Sequence, residues 1–407
     1  FDSRSAEYRA LYDSVLSSYD QFIRTTDQKL HWPAAQAIWR KLEEAGDIYK
    51  GTYEGLYCVG CETFKQEKDL VNGMCSDHNT LPERLVQENY FFKLSKYTDR
   101  IKSALESGEL TILPPERKNE IVSLVSEGLE DVSFSRPKKD LAWGVPVPGD
   151  ESHVMYVWCD ALVNYISALG YGSRDDALFK KFWPADLHVL GKDILRFHAA
   201  IWPGMLLSAG LPLPKAILAH GLILSGGKKM SKSIGNTVDP NAIMAEYGVD
   251  AFRFYLSHEI NPFEDGDFTE EKFKEVYNAY LANGIGNLTA RVMKMAESYL
   301  PEPVAPSASV GIEVVREYEA FMDKYQIHLA AQTISRYVRE LDLEIQETQP
   351  FKMIKTDPEK AKEIVAGLVQ GVALIGRLLA PFLPETSAKI EAAVHANKMP
   401  EALFLRK

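Results

Sequence analysis

The sequence predicts an α/β chain: a parallel sheet flanked by helices, followed by an all-helical bundle. Two observations carry this. Short apolar runs at Met155–Val157, Leu187–Leu190 and Ala216–Leu224 alternate with helical stretches at Ala161–Leu169, Ile194–Leu207 and Pro240–Glu246, the pattern of βαβ units. Beyond Asp267 the periodicity is helical throughout. Long amphipathic segments at Gly286–Met295, His328–Ile345 and Glu359–Leu379 are separated by Pro301–Pro306 and by Thr348-Gln349-Pro350, as in a bundle of helices with apolar faces turned inward.

The elements before residue 150 fit the same frame. Tyr8–Leu16 is periodic, and Pro33–Ala45 is amphipathic between Thr25-Thr26-Asp27 and Gly46-Asp47. From Gly51 to about Glu88 the text is aromatic and Gly-rich, with strand-like runs and three cysteines. Helical periodicity returns at Asp99–Leu105 and Lys118–Gly128. No internal repeat and no low-complexity tail interrupts the chain.

Composition bounds the class. With 407 residues, 46% hydrophobic and 25% charged, the chain is long enough for two or three domains with their own cores. No apolar run approaches the roughly 18–20 residues that span a bilayer, and no signal peptide is visible, so no membrane partner is expected. A net charge of −11 argues against a surface coated in nucleic acid but permits one basic groove. Four cysteines are too few to staple such a chain. Three of them cluster, which fits cytoplasmic metal chemistry better than a disulfide framework.

Cys58-Val-Gly-Cys61 and Cys75-Ser-Asp-His78 are two pairs with two residues inside each and thirteen between them. Each knuckle brings both its side chains to one ion, and two knuckles complete a tetrahedron. Three thiolates and an imidazole suit Zn²⁺, and four protein ligands leave no open position, so the site is expected to be structural. Cys159 stands alone and reads as packing.

Three further stretches carry chemistry. Lys229-Met230-Ser231-Lys232-Ser233, behind Ser225-Gly226-Gly227-Lys228, sets lysines around a hydroxyl on a loop that glycines leave free to move. Mobile cations of this kind close on a polyphosphate and neutralise charge developing during its displacement. Met155–Tyr165 and Gly191–His198 each sit where a strand is expected to give way to a helix, at the carboxyl edge of the parallel sheet, where open α/β folds bind ligands. Trp158, Tyr165, Ile194 and Phe197 are placed to line an apolar slot for an unbranched side chain. Asp193 is an acceptor for an α-ammonium, and Arg136 a partner for a carboxylate.

With these motifs in view, nearly the whole chain resembles the methionyl-tRNA synthetases of the bacterial type. The resemblance is carried by Phe22-Ile-Arg-Thr-Thr-Asp27, Gly46-Asp-Ile-Tyr-Lys-Gly51, Tyr53-Glu-Gly-Leu-Tyr-Cys58, Asn89-Tyr-Phe-Phe-Lys-Leu-Ser95, Trp143-Gly-Val-Pro-Val-Pro-Gly149, the Trp158 and Asp193 stretches, the lysine loop, Ala219-His-Gly221 and Asp265-Gly-Asp-Phe268. It implies a class I Rossmann-like parallel sheet, incomplete at its N-terminus, with a zinc-binding insertion, followed by an all-α anticodon-binding bundle. The implied divisions are 1–50 and 126–224 for the two halves of the catalytic domain, 51–125 for the insertion, 225–266 for the lysine loop and stem-contact region, and 267–407 for the bundle.

The same resemblance implies site roles. Trp158, Ala161, Tyr165, Asp193, Ile194, Phe197 and His198 would form the methionine pocket, with Arg136 in support. Gly191, Asp193, His220, Gly221, Ile223 and Ser231 would bind ATP with its Mg²⁺, and Lys229 and Lys232 would act on the triphosphate. Asn287 and Arg291, four apart on one helix face, would read the anticodon of tRNA(Met), initiator included. Phe351 would stack on a base where the family usually carries tryptophan, and Leu162 stands where many relatives have proline. The class's second signature, of the His-Ile-Gly-His type, does not occur here. The expectation is therefore a methionine–tRNA ligase that needs a further N-terminal segment for activity and is monomeric when complete. The alternative is a tRNA-binding fragment without catalysis. A synthetase for a branched aliphatic amino acid fits the aromatic slot less well.

Overall fold

The structure, a computed structural model, describes residues 2–59, 63–65, 70–75, 79–230, 235–307 and 309–407. It divides into two compact units, Tyr19–Ala219 and Phe1–Ser18 with His220–Lys407. The expected segment 1–50 is thus shared between them.

In the first unit, helix His31–Glu44 buries His31, Ala34, Ala35, Ile38, Trp39 and Leu42, the stripe that a 3.6-residue period places on one face. Gly46, at φ +71°, ends it and turns the chain into strand Ile48–Cys58. That strand pairs antiparallel with Glu83–Phe92, from Ile48↔Phe92 to Tyr57↔Glu83. The small hairpin of Leu70–Val71 and Met74–Cys75 turns on Asn72-Gly73, both at positive φ, as a two-residue hairpin turn requires. The parallel pairing is between Thr111–Leu113 and Ala216–His220, with His188–Gly191 on the other side of the latter. Trp39, Phe92, Phe134 and Trp202 have no exposed surface and fill the core, with Phe92 stacked on Phe134 at 4.9 Å.

Three expectations are corrected here. The strand placed at Met155–Val157 ends at Met155, and it lies outside the parallel sheet. Asp150–Met155 pairs antiparallel with Ser135–Pro137 and also pairs with Pro146–Val147. Trp158 therefore follows an antiparallel strand and does not sit at the carboxyl edge of the parallel sheet. The cause is local: Gly149, at φ +79°, turns the chain back after Val147, a tight reversal that parallel pairing does not allow. The helix expected over Ile194–Leu207 is three pieces, a 3₁₀ turn at Lys192–Ile194, a π-helix at Phe197–Ile201 and an α-helix at Trp202–Ser208. Pro203, at the start of the last piece, has no N–H to continue an ordinary ladder. The helix expected over Ala161–Leu169 is likewise shorter, Asn164–Ser167, and a separate short helix, Val157–Ala161, precedes it.

The second unit is mostly helical. Its only strands among the described residues are Ile223–Ser225, Lys228–Lys229 and Gly266–Asp267. Helices Asn287–Tyr299, Ile327–Thr348, Pro358–Leu379 and Pro384–Ala396 enclose a core of Val292, Met293, Ile334, Val338, Leu368, Val372 and Ile375. Gly371 lets two of them close: a Cβ there would meet Leu341 Cδ1 at 2.6 Å. Asp357 caps the 358–379 helix by accepting from Lys360 N at 3.1 Å, and Pro358 begins it, both ordinary start signals. Arg253 gathers three carbonyls, Val15, Pro381 and Phe382, which ties the first helix, Asp2–Ser14, into this unit.

Asp47 is the polar hub of the first unit. It is 1% exposed and accepts from Lys96 Nζ at 2.7 Å, Ser208 Oγ at 2.8 Å and the Tyr97 hydroxyl. Burial pushes its carboxyl up, yet these donors outweigh burial and leave it below the ordinary value. Its stabilisation is therefore present above the unfolded carboxyl's pKa of about 4 and lost as pH falls through the lower folded value. Asp47→Asn is expected to cost about 3 kcal/mol near neutral pH, with the deficit shrinking below about pH 4. Urea unfolding at several pH values measures it, and a pH-independent deficit would show that the charge is not what holds the hub.

Candidate functional site

The short helices after Met155 and the broken helix after Gly191 bring together residues 33 positions apart or more. Trp158 and Phe197 stack almost parallel, centroids 4.0 Å apart at 8°, so no space lies between the two rings. His198 stands edge-on to Trp158 at 6.0 Å and to Tyr165 at 5.6 Å. His198 Nδ1 lies 3.0 Å from the Ile194 carbonyl. A carbonyl only accepts, so Nδ1 carries the proton, and Nε2 accepts from the Tyr165 hydroxyl at 2.8 Å,. The π-turn at Phe197–Ile201 is the kind of local widening that often marks functional sites.

The slot's groups are neutral. Burial lowers His198 despite the Ile194 carbonyl, which favours its protonated form. Burial raises Tyr165 to about 12. Beneath Tyr165, His188 lies 4.0 Å away ring to ring and accepts from Trp202 Nε1 at 3.3 Å. Burial first, and then neighbouring His198, push His188 down to about 3. Asp193 is exposed, and Gly191, Ala161 and Ile194 are half-buried. Arg136 is buried, donates to Ser133 Oγ at 3.0 Å and to the Ser135 carbonyl at 2.7 Å, and lies 4.4 Å over the Tyr156 ring.

Sequence reasoning missed the support beneath this slot. His31, with no exposed surface, joins Asp160 Oδ1 at 2.5 Å through Nε2 and Ser167 Oγ at 2.8 Å through Nδ1. Asp160 sits two residues after Trp158 and Ser167 two after Tyr165, so one imidazole pins both short helices. The serine is fully buried, so this Ser-His-Asp set is a brace and not a nucleophile. The only signal in the sequence was an acid inside the apolar run Tyr156–Leu162, since a buried carboxylate must find a partner. His188 and Trp202 gave no signal beyond ordinary core residues.

In the second unit, Ile223–Ser225 and Lys228–Lys229 form a hairpin turning on Gly226-Gly227, at φ +61° and +71°. Asp267 Oδ1 accepts from Gly227 N at 2.9 Å, and Asp265 Oδ1 accepts from Leu222 N at 2.9 Å. Gly221 is required by close approach, because a Cβ there would lie 1.8 Å from the Glu264 carbonyl oxygen. His220, Ile223 and Lys229 are exposed; Ser231 and Lys232 lie outside the described residues. On the bundle, Asn287 is exposed one turn before Arg291. Arg291 and Phe351 line a cavity of about 600 Å³ with Lys294, Tyr299 and Met399.

Cys58 and Cys75 are each 1% exposed and meet at Thr80: Cys58 Sγ is 3.9 Å from Thr80 Oγ1, and Cys75 N donates to the Thr80 carbonyl at 2.9 Å. Cys61 and His78 lie outside the described residues. Cys58 thus reaches Thr80 through its sulfur and Cys75 through its backbone N–H, and both thiols are buried. Cys159 is also buried, and burial raises its thiol well above the usual value, as for a packing cysteine.

A parallel-sheet α/β unit joined to a helical unit with an exposed polar helix face is the architecture of a class I synthetase. A model for tRNA synthetases class I (M) matches residues 1–80 and 65–293, and one for the anticodon binding domain of methionyl tRNA ligase matches 308–402. The methionine–tRNA ligase of Caldanaerobacter subterraneus is 43% identical over 93% of this chain, and that of Brucella suis is 39% identical over 96%. The chain covers 61% of the first relative and 78% of the second. A solved structure of Mycobacterium tuberculosis methionyl-tRNA synthetase in complex with methionyl-adenylate superposes with a TM-score of 0.86 at 37% identity, covering 94% of this chain and 78% of that one. The chain belongs to the methionine–tRNA ligase family. It spans about three fifths of the length of the Caldanaerobacter and Clostridium acetobutylicum relatives.

Because folding lowers both His188 and His198, their stabilisation is complete above an unfolded pKa of about 6.5 and is lost as pH falls towards the folded values. Stability is expected to fall below about pH 6.5 by up to about 1.4 kcal/mol per pH unit for each histidine. His188→Gln, which still accepts from Trp202, should remove its share of that slope. Urea unfolding from pH 7 to 4 reads this directly, and an unchanged slope would assign the effect elsewhere.

Proposed function

We propose that this chain belongs to a methionine–tRNA ligase of the cytoplasm that activates methionine with ATP–Mg²⁺ and transfers it to tRNA carrying a CAU anticodon, initiator and elongator alike. The observation that carries the reading is the neutral Tyr165–His198 pair beside the Trp158–Phe197 stack. It offers apolar surface and one oriented hydroxyl to an uncharged, unbranched side chain. A charged side chain would find no counter-charge there and pay for desolvation.

The reaction has two steps. The methionine carboxylate attacks the α-phosphorus of ATP, and pyrophosphate leaves; the terminal ribose hydroxyl of the tRNA then attacks the acyl carbon, releasing AMP. Exposed Asp193 is the acceptor for the α-ammonium, and Arg136 supports the pocket wall through Tyr156. Lys229 from the glycine hairpin, and Lys232 three residues further along the sequence, supply positive charge to the triphosphate, with Ser231 binding ATP beside them. Gly191, His220, Gly221 and Ile223 serve the nucleotide, and Ala161 and Ile194 complete the methionine slot. Catalysis here is positioning and charge stabilisation, with no covalent enzyme intermediate. On the bundle, Asn287 and Arg291 read base edges and Phe351 stacks.

The insertion is read as a zinc module. Cys58, Cys61, Cys75 and His78 would hold one Zn²⁺, which supplies folding energy to the knuckles and takes no part in the reaction. The buried Cys58–Thr80–Cys75 arrangement supports this. Elemental analysis is expected to find one zinc per chain, and Cys58→Ser to lose it with local unfolding of 51–88. Well under one zinc in carefully purified protein would remove the module from the reading.

Methionine-dependent ATP–pyrophosphate exchange in the intact protein tests the function. Trp158→Ala should raise the KM for methionine. Lys232→Ala should slow adenylate formation by on the order of 10²-fold with methionine affinity little changed, since its contact belongs to the transition state. Equal use of isoleucine would show that the amino acid has been misread.

A further inference from the structure

Arg291 meets its cavity already paired. Its Nη1 donates to Asp342 Oδ1, from helix Asn287–Tyr299 to helix Ile327–Thr348. The second carboxylate oxygen accepts from Gln346 Nε2 at 2.8 Å, one helical turn further on. Asp342 is therefore held at both oxygens, and the pair is about two thirds buried, with 35% and 32% of the two side chains exposed. A guanidinium carries five N–H donors in one rigid plane. A fixed carboxylate on one nitrogen sets that plane and leaves the other donors for a ligand.

The charge balance points the same way. Lys294, the other cation lining the cavity, is paired with Glu297 at 3.3 Å. The two cations that line the cavity are thus each matched by an acid, while Lys352 lies 5.9 Å over the Phe351 ring beside it. Paired cations draw phosphate weakly, whereas oriented donors beside exposed Phe351 suit the edge of an unstacked base.

The geometry points to Asp342 as a positioning residue for base reading: it holds the Arg291 guanidinium in one plane and cancels the charge that would otherwise attract any RNA backbone. This rests on the proposed reading of Arg291 as an anticodon contact. The chain as it stands is titrated with two transcripts of one tRNA, bearing CAU or an altered anticodon, at several salt concentrations. Arg291→Ala is expected to lower the preference for CAU by on the order of tenfold. Asp342→Ala should lower it as much, while binding to the altered tRNA holds or tightens and the log–log salt dependence steepens by about 0.7. Asp342→Asn, whose amide oxygen still accepts from Arg291, should recover most of the preference yet keep the steeper salt dependence. The double variant should be no worse than Arg291→Ala, because the clamp then has nothing to hold.

A merely structural Asp342 would instead lower the melting temperature and weaken both tRNAs alike at unchanged salt dependence, and that result overturns the proposal. So does wild-type preference in Asp342→Ala when Arg291→Ala has lost it. Preference retained in Arg291→Ala would sink the base-reading site itself, and Asp342's role with it.

Discussion

The His31 imidazole sets the geometry on which the aromatic slot depends. It has no exposed surface and joins two short helices through Asp160 and Ser167. Those helices are too short to hold their own conformation in isolation. They carry Trp158 and Tyr165, so the separation of the two rings follows from one side chain on the 31–44 helix. Ring positions fixed in this way need no rearrangement energy when a ligand arrives, which is the physical content of a preorganised site.

The slot and the bundle handle charge in opposite ways. In the slot burial keeps His188, His198 and Tyr165 neutral, lowering the two histidines and raising the tyrosine. On the bundle, charges are kept and paired. Arg291 with Asp342, Arg336 with Glu317 and Lys294 with Glu297 cover the helix faces without leaving a broad positive field, in keeping with a net charge of −11. The lysine hairpin differs from both. Lys228 and Lys229 are exposed on the short edge strand of a three-stranded sheet, whose turn is held by the Gly227 N–H donating to Asp267 Oδ1.

The long helices of the bundle were legible because amphipathic periodicity over twenty residues survives any tertiary context: His328–Ile345 and Glu359–Leu379 differ from the observed helices by a few residues at most. The segments around the slot were misread in their details. Met155–Val157 looked like a strand of the parallel sheet, and Ile194–Leu207 like one helix. A short apolar run carries no information about the direction of its partner, and a single proline inside a helical pattern does not say whether the helix bends, widens or breaks. Both answers came from the tertiary structure, through the Gly149 turn and the place that Pro203 takes at the start of the last helical piece.

By itself the sequence determined the chemistry on offer: the paired cysteine knuckles, the aromatic and histidine residues of the slot, the glycine-hinged lysines and the Asn287/Arg291 face. These follow from residue type and local spacing, which the chain encodes directly. Only the tertiary structure decided which partners each group would meet. His31 finds Asp160 and Ser167 across 129 and 136 residues, and Arg291 finds Asp342 across 51. The state of a buried polar group depends on what the fold places against it, and no local pattern in the chain records that.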